Sequence, residues 1–314
     1  MKTLVRVLAA VAGLAGLAAL APAAQASFPG SNGAIGYAFK SVSGDASPLI
    51  ENAGLATKAL GNQRERTLVH CERVESVPSS GDCKVTEFRS PSYSADGRRI
   101  VFDAGEDLGL IDARGGPIEL LDNLADNGGD PAFSPDGRRI VFTGANERGG
   151  TDVFVYRLGS LFVRVIVQDA AEPAWSSRNR IAYVRDGNIY TSNWKGGRRH
   201  LVSSGRSPDW SPGGGRLVFV RPSPNNTFAG PTGRLFTVGA RGRGLHAVFP
   251  RVTDAFAPVW SPDGRWIAFG LFDSGIYAKR LGSRVPAQEV ASTQVSGESG
   301  SHVSLDAAWR ARPR

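Results

Sequence analysis

After residue 26, short hydrophobic runs alternate with polar turns that are rich in glycine and proline, and no convincing helical period is present. Runs such as residues 100–102 and 217–220 are apolar at consecutive positions. A strand that is apolar on both sides is covered on both faces. The pattern therefore predicts an all-β protein whose sheets pack against one another, with 39 glycines and 19 prolines favouring many turns.

One sequence unit recurs five times. Each copy places a proline two residues before an aromatic residue, then a turn, then an apolar run; the copies span residues 90–102, 130–142, 172–183, 207–219 and 257–269. Their aromatic residues follow one another at roughly 35–50 residues, near the period of about 40–45 that is typical of propeller blades. The repeat therefore indicates one blade per copy.

Each repeat predicts four strands, with the aromatic residue on the first and the apolar run on the second. The predicted third strands are residues 108–112, 152–157, 188–193, 234–238 and 276–280. The predicted fourth strands are residues 118–121, 162–167, 200–203, 245–249 and 288–291.

The two ends of the chain predict how the repeats close into a ring. Residues 306–309 resemble a first strand, and residues 32–39 resemble a turn and a second strand. Pairing them completes a sixth blade and removes open sheet edges, which favour aggregation. The predicted fold is all-β: a six-bladed β-propeller of four-stranded antiparallel blades, closed by pairing the N-terminal strands with the C-terminal strand.

The first 26 residues predict an export signal. Lys2 and Arg6 precede an uncharged apolar run over residues 8–20, and Ala24-Gln25-Ala26 is a small-x-small cleavage site. The run is short for a membrane-spanning helix, so we expect Sec-type export and cleavage after Ala26. The predicted domains are a signal peptide (1–26) and one propeller domain (27–314). The mature chain is expected to be secreted or periplasmic, without a membrane span.

The two cysteines are interpretable in an exported chain. Cys71 and Cys83 lie close together in a polar segment, and an oxidising compartment permits a disulfide between them. A redox or metal role is less favoured, because the C-x-x-C spacing and nearby ligands are absent. The formal net charge of +8 is modest, and export argues against nucleic acid as a partner.

Residues 90–102, 130–142, 207–219 and 257–269 resemble the TolB-like, WD40-like (PD40) propeller repeat, with its Pro-x-Trp-Ser-Pro-Asp-Gly-x-x-Ile-Ala-Phe consensus. The resemblance extends over nearly all of the chain after the signal. It implies a six-bladed propeller in an extracytoplasmic compartment, of a kind that often binds other proteins. TolB carries an α/β domain before its propeller, and no such domain is expected here.

The predicted topology separates charge between the two edges of the sheets. The turns between first and second strands and between third and fourth strands carry many arginines, including Arg98 and Arg138, and form the basic edge. The other connections carry mostly acids, including Glu147, and form the acidic edge. Two long segments, 71–83 and 222–233, are expected there, and long loops on a rigid scaffold often bind partners. The acidic, loop-bearing edge is therefore the predicted docking surface for a protein or peptide.

The position three residues before each aromatic enters the innermost strand near the channel mouth. The candidate ligand-binding residues at this position are Ser90, Asp130, Glu172, Ser207 and Asp306. Carboxylates around one axis suit Ca²⁺ or a basic side chain, so Asp130, Glu172 and Asp306 are candidate metal ligands. No catalytic residue is assigned, because no Gly-x-Ser-x-Gly or His-Glu-x-x-His motif occurs.

Three functions remain open. The first, which the sequence favours, is a monomeric, non-enzymatic propeller without a cofactor that binds a protein or peptide. The second is a metal-dependent hydrolase of the lactonase type, with a divalent ion on the axis. The third is a cell-envelope carbohydrate binder, for which Trp194 and Trp266 would supply exposed aromatic contacts.

Overall fold

The computed structural model describes residues 27–43, 50–62, 64–74, 85, 87–121, 124, 128–222, 232–271, 274–292 and 307–312. All regular elements within these ranges are β-strands, in agreement with the predicted all-β class. The export signal, Cys83 and Asp306 lie outside the described residues.

The strands fall into six consecutive sets and one final strand. The first three sets are β1 (Ser31–Ser43), β2 (Ile50–Ala59) and β3 (Glu65–Val74); β4 (Arg89–Tyr93), β5 (Arg99–Asp103), β6 (Leu108–Asp112) and β7 (Glu119–Leu121); and β8 (Gly129–Phe133), β9 (Arg139–Ala145), β10 (Thr151–Arg157) and β11 (Val163–Val167). The next two are β12 (Ala171–Trp175), β13 (Arg180–Arg185), β14 (Asn188–Asn193) and β15 (His200–Ser204); and β16 (Arg206–Trp210), β17 (Arg216–Pro222), β18 (Gly233–Gly239) and β19 (His246–Ala247). The last are β20 (Ala255–Trp260), β21 (Trp266–Leu271), β22 (Gly275–Arg280) and β23 (Gln288–Ser292), followed by β24 (Ala307–Arg312).

Within each set the strands pair antiparallel with their neighbours in chain order. The final strand β24 pairs antiparallel with β1, so the first set gains its fourth strand from the other end of the chain. Successive sets pack against each other through their first strands, and β20 of the sixth set also contacts β24. The sheets are therefore arranged as neighbouring propeller blades are.

The strand count per sheet departs from the prediction at one place. The fifth and sixth sets are joined by a single antiparallel pair, Gly233 with Ala255, into one eight-stranded sheet. This pair forms because β18 begins directly opposite the start of β20. The outer strand β19 is also shorter than the predicted residues 245–249, because the backbone turns out of the sheet at Phe249, where φ is 52°.

The segment around Cys71 also differs from the prediction. Cys71 is not the start of an insertion but lies within β3, opposite Ala53 of β2, and is buried. Both strands were missed because the repeat motif is absent from this part of the chain. Because Cys83 is outside the described residues, the disulfide stays a prediction.

Aromatic residues fill the space between sets, as the repeat predicts. Trp210 is fully buried in a cluster with Ala182 and Ile189 of the fourth set and Leu217 and Phe219 of its own set. Burying a large aromatic side chain stabilises by roughly 1.5–3 kcal/mol. The corresponding aromatic residues of the other sets are also buried: Tyr93, Phe133, Trp175, Trp260 and Trp309.

The recurring turn is closed by its serine and aspartate. In the second set the Ser94 hydroxyl donates to Asp96 Oδ1 at 2.6 Å, and the Arg98 N–H donates to the same oxygen at 3.0 Å. The turn aspartate therefore accepts a hydrogen bond from nearby backbone. Asn179 occupies the turn-glycine position in the fourth set at φ 54°, a left-handed conformation that asparagine tolerates.

In the second to sixth sets the first strand carries a bulge at the same place. Between Gly129 and Ala132, for example, the register of β8 against β9 shifts. The bulged residue takes a left-handed backbone conformation in five sets: Ser90, Asp130, Glu172, Ser207 and Ala257, with φ of 45–53°. Four of these are the candidate ligand-binding residues, so the bulge decides where their side chains lie.

The bulge predicts that the same substitution destabilises the protein to different extents at two buried alanines. Ala257 has φ 45°, whereas Ala268 lies in regular pairing in β21. Glycine removes the left-handed penalty at residue 257 but adds backbone entropy loss at both sites. We expect Ala257→Gly to destabilise less than Ala268→Gly by about 1 kcal/mol. Urea unfolding of both variants measures this, and equal losses would contradict a strained bulge.

The turn aspartates predict an acid-dependent loss of stability. Burial alone would raise the pKa of Asp136, but the Ser134 hydroxyl, the Arg138 N–H and the charges of Arg139 and Arg138 hold it below the ordinary 3.8. A lowered folded-state pKa gives stability that is present above 3.8 and is lost as pH falls through the folded value.

We therefore expect Asp136→Asn to cost about 1 kcal/mol at neutral pH and close to nothing near pH 2, since its charge is partly screened by solvent. Urea unfolding at both pH values tests this. Asp186→Asn is the matched control, because the Asp186 side chain is 85% exposed. A cost that is the same at both pH values would rule out the proposed charge effect.

Candidate functional site

The candidate carboxylates at the inner strands are held in a hydrogen-bonded chain across three sets. Thr143 Oγ1 donates to Asp130 Oδ2 at 3.0 Å and accepts the Glu172 N–H at 3.1 Å. Glu172 Oε2 accepts the Ser207 N–H at 2.6 Å, and Oε1 accepts from Arg206 Nε at 3.1 Å. The bulged strands of the third, fourth and fifth sets are therefore tied to one another through these side chains.

Glu172 is the more buried of the two carboxylates in this chain, at 2% exposure. Burial raises its pKa, and the Arg206 guanidinium and the Ser207 N–H only partly offset that effect. The ion pair with Arg206, at 3.0 Å, balances the negative charge of the buried Glu172 carboxylate. The contacts of Glu172 are those of a residue that fastens adjacent strands, and Ser207 takes part through its backbone.

The structure brings Asp130, Glu172 and Ser207 together but does not test an axial ion. Among the residues in the described ranges, no three His, Cys, Asp or Glu side chains are placed to hold a metal. Asp306, the third candidate ligand, is outside those ranges. Ser90 is buried at the equivalent position of the second set. The axial Ca²⁺ therefore stays a prediction.

The acidic edge near Glu172 is largely neutralised by arginines. Arg148 pairs with Asp152 at 3.0 Å and with Asp169 at 3.3 Å. Arg185 lies 3.9 Å from Asp169 and 3.7 Å from Asp186. Because these pairs cancel charge locally, this part of the edge offers a cationic partner less attraction than the sequence suggests.

Part of the basic edge is also used within the fold. Arg99 Nη2 donates to the Gly137 carbonyl at 2.6 Å, Arg310 Nε donates to the Gly97 carbonyl at 2.8 Å, and Arg180 donates to the Gly214 carbonyl. Each bond joins one set to a turn of the adjacent set. These arginines stabilise the packing of neighbouring sheets and are not free for a ligand.

A cavity of about 910 Å³ opens on the basic edge between the fifth and sixth sets. It exists because β19 is only two residues long and leaves the side of the sixth set uncovered. The segment 248–252 that leaves β19 forms one wall. Trp260 and the turn after β22 form the other.

The cavity is lined by positive charge. Five of its residues are basic, and none of those described is an aspartate or glutamate; the basic residues are Arg216, His246, Arg251, Lys279 and Arg284. Arg216 Nη2 donates to Thr237 Oγ1 at 2.8 Å, and Lys279 Nζ donates to the Val285 carbonyl at 2.7 Å. Within the described part of the chain, none of the five forms an ion pair, so the positive charge is uncompensated.

Trp260 lines this cavity but encloses its own hydrogen-bond donor. The residue is 4% exposed, and its buried Nε1 has no partner among the described residues. The equivalent Trp210 donates to the Ala174 carbonyl at 3.2 Å and lies under the Arg180 guanidinium at 4.8 Å. An unsatisfied buried donor is unusual in a native protein.

Exposed hydrophobic side chains border the mouth of the cavity. Leu245 is 45% exposed and Val285 is 61% exposed, and each directly precedes or follows a residue of the cavity lining. Leu161 and Phe162, at 96% and 84%, lie on the same edge in the third set. Exposed apolar groups beside a charged pocket are typical of surfaces that bind other macromolecules.

Sequence reasoning missed this cavity. Two signals were available: the interval from Trp210 to Trp260 is the longest between repeats, and arginines cluster after Gly239.

The two tryptophans considered for carbohydrate binding are both half-buried. Trp194 stacks on Trp175 with ring centroids 6.5 Å apart and lies under Arg139, so it presents no free aromatic face.

No helix in the described ranges is long and apolar enough to cross a membrane. No protein-family model matches the chain. Several solved structures resemble it. TolB from Acinetobacter baumannii is 16% identical with a TM-score of 0.60, over 91% of this chain and 68% of that one.

A putative TolB from Agrobacterium tumefaciens is 17% identical with a TM-score of 0.60, over 79% of this chain and 88% of that one. An oligogalacturonate lyase in complex with manganese is 12% identical with a TM-score of 0.53, over 88% of each chain. Identities this low show the fold alone, so the chain has a TolB-like β-propeller fold.

The two tryptophans provide a direct test of the unused donor. Removing the indole N–H at residue 210 takes a hydrogen bond from the buried Ala174 carbonyl, whereas removal at residue 260 breaks no hydrogen bond among the described residues. We expect Trp210→Phe to cost about 1 kcal/mol more than Trp260→Phe in urea unfolding. Both changes remove the same ring volume, so equal costs would mean that the Trp260 N–H has a partner in the folded chain.

Proposed function

We propose that the chain is an exported, closed six-bladed propeller that serves as a scaffold for binding an acidic segment of a protein or peptide. The observation that carries the proposal is the cationic cavity beside Trp260, with its apolar border. The binding surface is then on the basic edge, not on the acidic edge that the sequence favours.

Two contacts support ring closure. β24 pairs with β1 over residues 31–37 and 307–312, and it packs against β20 of the sixth set. Together these contacts support a position of the last strand between the first and sixth sets. Each set then has a neighbour on both faces, as its apolar side chains require.

The chemistry of the cavity favours an acidic partner. Carboxylates would accept from the Arg216, Arg251 and Arg284 guanidinium groups. Charge-assisted bonds of this kind are the stronger class of hydrogen bond. At the acidic edge, by contrast, Asp152 and Glu172 are already paired with arginines.

The border of the cavity favours a polypeptide over a small ligand. A small anion would contact only the lining, whereas a peptide would also cover Leu245 and Val285 as it leaves the cavity. Covering exposed apolar area stabilises a complex by roughly 25 cal/mol per Å² before the costs of association are subtracted. The lactonase and carbohydrate hypotheses have no comparable observation in their favour.

The test is selection from a random peptide display library against the chain that starts at Ser27. We expect enriched peptides to contain Asp or Glu next to aliphatic residues. Their dissociation constants, measured by fluorescence anisotropy, should rise roughly tenfold or more in Arg251→Glu/Arg284→Glu and should also rise with ionic strength.

The matched control is Arg98→Glu/Arg138→Glu, which makes the same charge change at exposed turn positions of the same edge, away from the cavity. It should change affinity by less than about twofold. The proposal is wrong if no peptide is enriched, if enriched peptides lack acids, or if both double variants weaken binding equally.

A further inference from the structure

Asp209 breaks the pattern of the repeats. It lies on β16 directly before Trp210, where the other sets carry a small or aliphatic uncharged residue: Ser92, Ala132, Ala174, Val259 and Ala308. Asp209 has no exposed surface. A buried carboxylate at a position that is otherwise uncharged needs a specific partner.

The described residues form hydrogen bonds with only one of the two carboxylate oxygens of Asp209. Asp209 Oδ2 accepts the Trp260 N–H at 2.7 Å and the Ser27 hydroxyl at 3.1 Å. Oδ1 has no partner, and no cationic side chain of the described residues forms an ion pair with it. Burial raises the pKa of Asp209 well above its ordinary value, although donors from Trp260, Ser27 and Trp210 oppose that shift.

Ser27 is held firmly beside this carboxylate. Its side chain is 3% exposed, and its hydroxyl also reaches the Trp260 carbonyl. The next residue, Phe28, is 4% exposed in a hydrophobic cluster that includes Phe133 and Trp175. Gly30 then donates to the Pro262 carbonyl at 3.2 Å. Ser27 and Phe28 are therefore packed in the interior, in contact with several sets.

We propose that cleavage after Ala26 creates the missing partner: the new α-ammonium group of Ser27 forms a buried ion pair with Asp209 and so completes the folded core. Hydrolysis of the Ala26–Ser27 peptide bond consumes one water molecule. It leaves a carboxylate on Ala26 of the released leader and an amine on Ser27, which takes up a proton because its ordinary pKa is near 8.

The ion pair supplies what the site lacks. An ammonium group has three donors, enough for Asp209 Oδ1 and a second acceptor, whereas the amide of an uncleaved chain has one and carries no charge. Breaking a buried ion pair from one side is strongly destabilising. Processing of the leader and stability of the propeller are thereby linked. The inference rests on the predicted cleavage site and is independent of the bound partner.

The test compares two N-termini in two backgrounds. One protein begins at Ser27, and the other carries a single glycine before Ser27, so that residue 27 has an amide. In wild type we expect the glycine to lower the melting temperature by on the order of 5 °C. In Asp209→Asn the same extension should change it by less than about 2 °C. Asp209→Ser, the residue of the second set, serves if Asp209→Asn fails to fold.

A second readout uses the wild-type chain only. Limited acetylation at neutral pH, followed by mass spectrometry of the N-terminal peptide, should show a protected Ser27 amine in the folded protein and a reactive one after unfolding in urea. The proposal is overturned by any of three results. These are an exported protein that begins at another residue, a folded Ser27 amine that reacts as fast as the unfolded one, or an equal effect of the added glycine with and without Asp209.

Discussion

Burial on both faces is the constraint on which this structure depends. Each set of strands carries hydrophobic side chains on both sides, so none can be stable without a neighbour on each face. The aromatic residue at the end of every first strand fills the space to the preceding set, as Trp175 and Trp210 do with no exposed surface. The arginine bonds to neighbouring turn carbonyls and the pairing of β24 with β1 follow from the same need to hold sets together.

The equivalent residues of the sets pack in the same way. A residue that differs from its equivalents in the other sets therefore indicates a position with another role. The most informative departures meet at Trp260. Its N–H is bound by Asp209 and its carbonyl by Ser27, while its indole lines the cationic cavity. The N-terminal segment and the cavity therefore share one residue, which places the proposed ion pair against the wall of the proposed binding site.

The inner-strand carboxylates show why charge near a channel need not bind a ligand. Glu172 lies at the bulge, as Asp130 does. Both of its carboxylate oxygens accept hydrogen bonds, one from Arg206 and one from the Ser207 N–H. A bulge leaves backbone donors without sheet partners, and a carboxylate from the adjacent set is a suitable acceptor. The same position holds an apolar Ala257 between the last two sets, where that chain of bonds is not continued.

The repeat, the all-β class and most strand positions can be predicted from the amino-acid sequence, because spacing and local backbone preference act over a few residues. β6 and β14, for example, lie at the predicted residues. Which charges are free depends on the packing of the sets. Arg99 and Glu172 bind neighbouring sets, and Arg251 and Arg284 form no ion pair within the described ranges. Asp209 is buried beside Ser27, 182 residues away. Such outcomes depend on which sets become neighbours and on where one strand is short, and no local pattern encodes them.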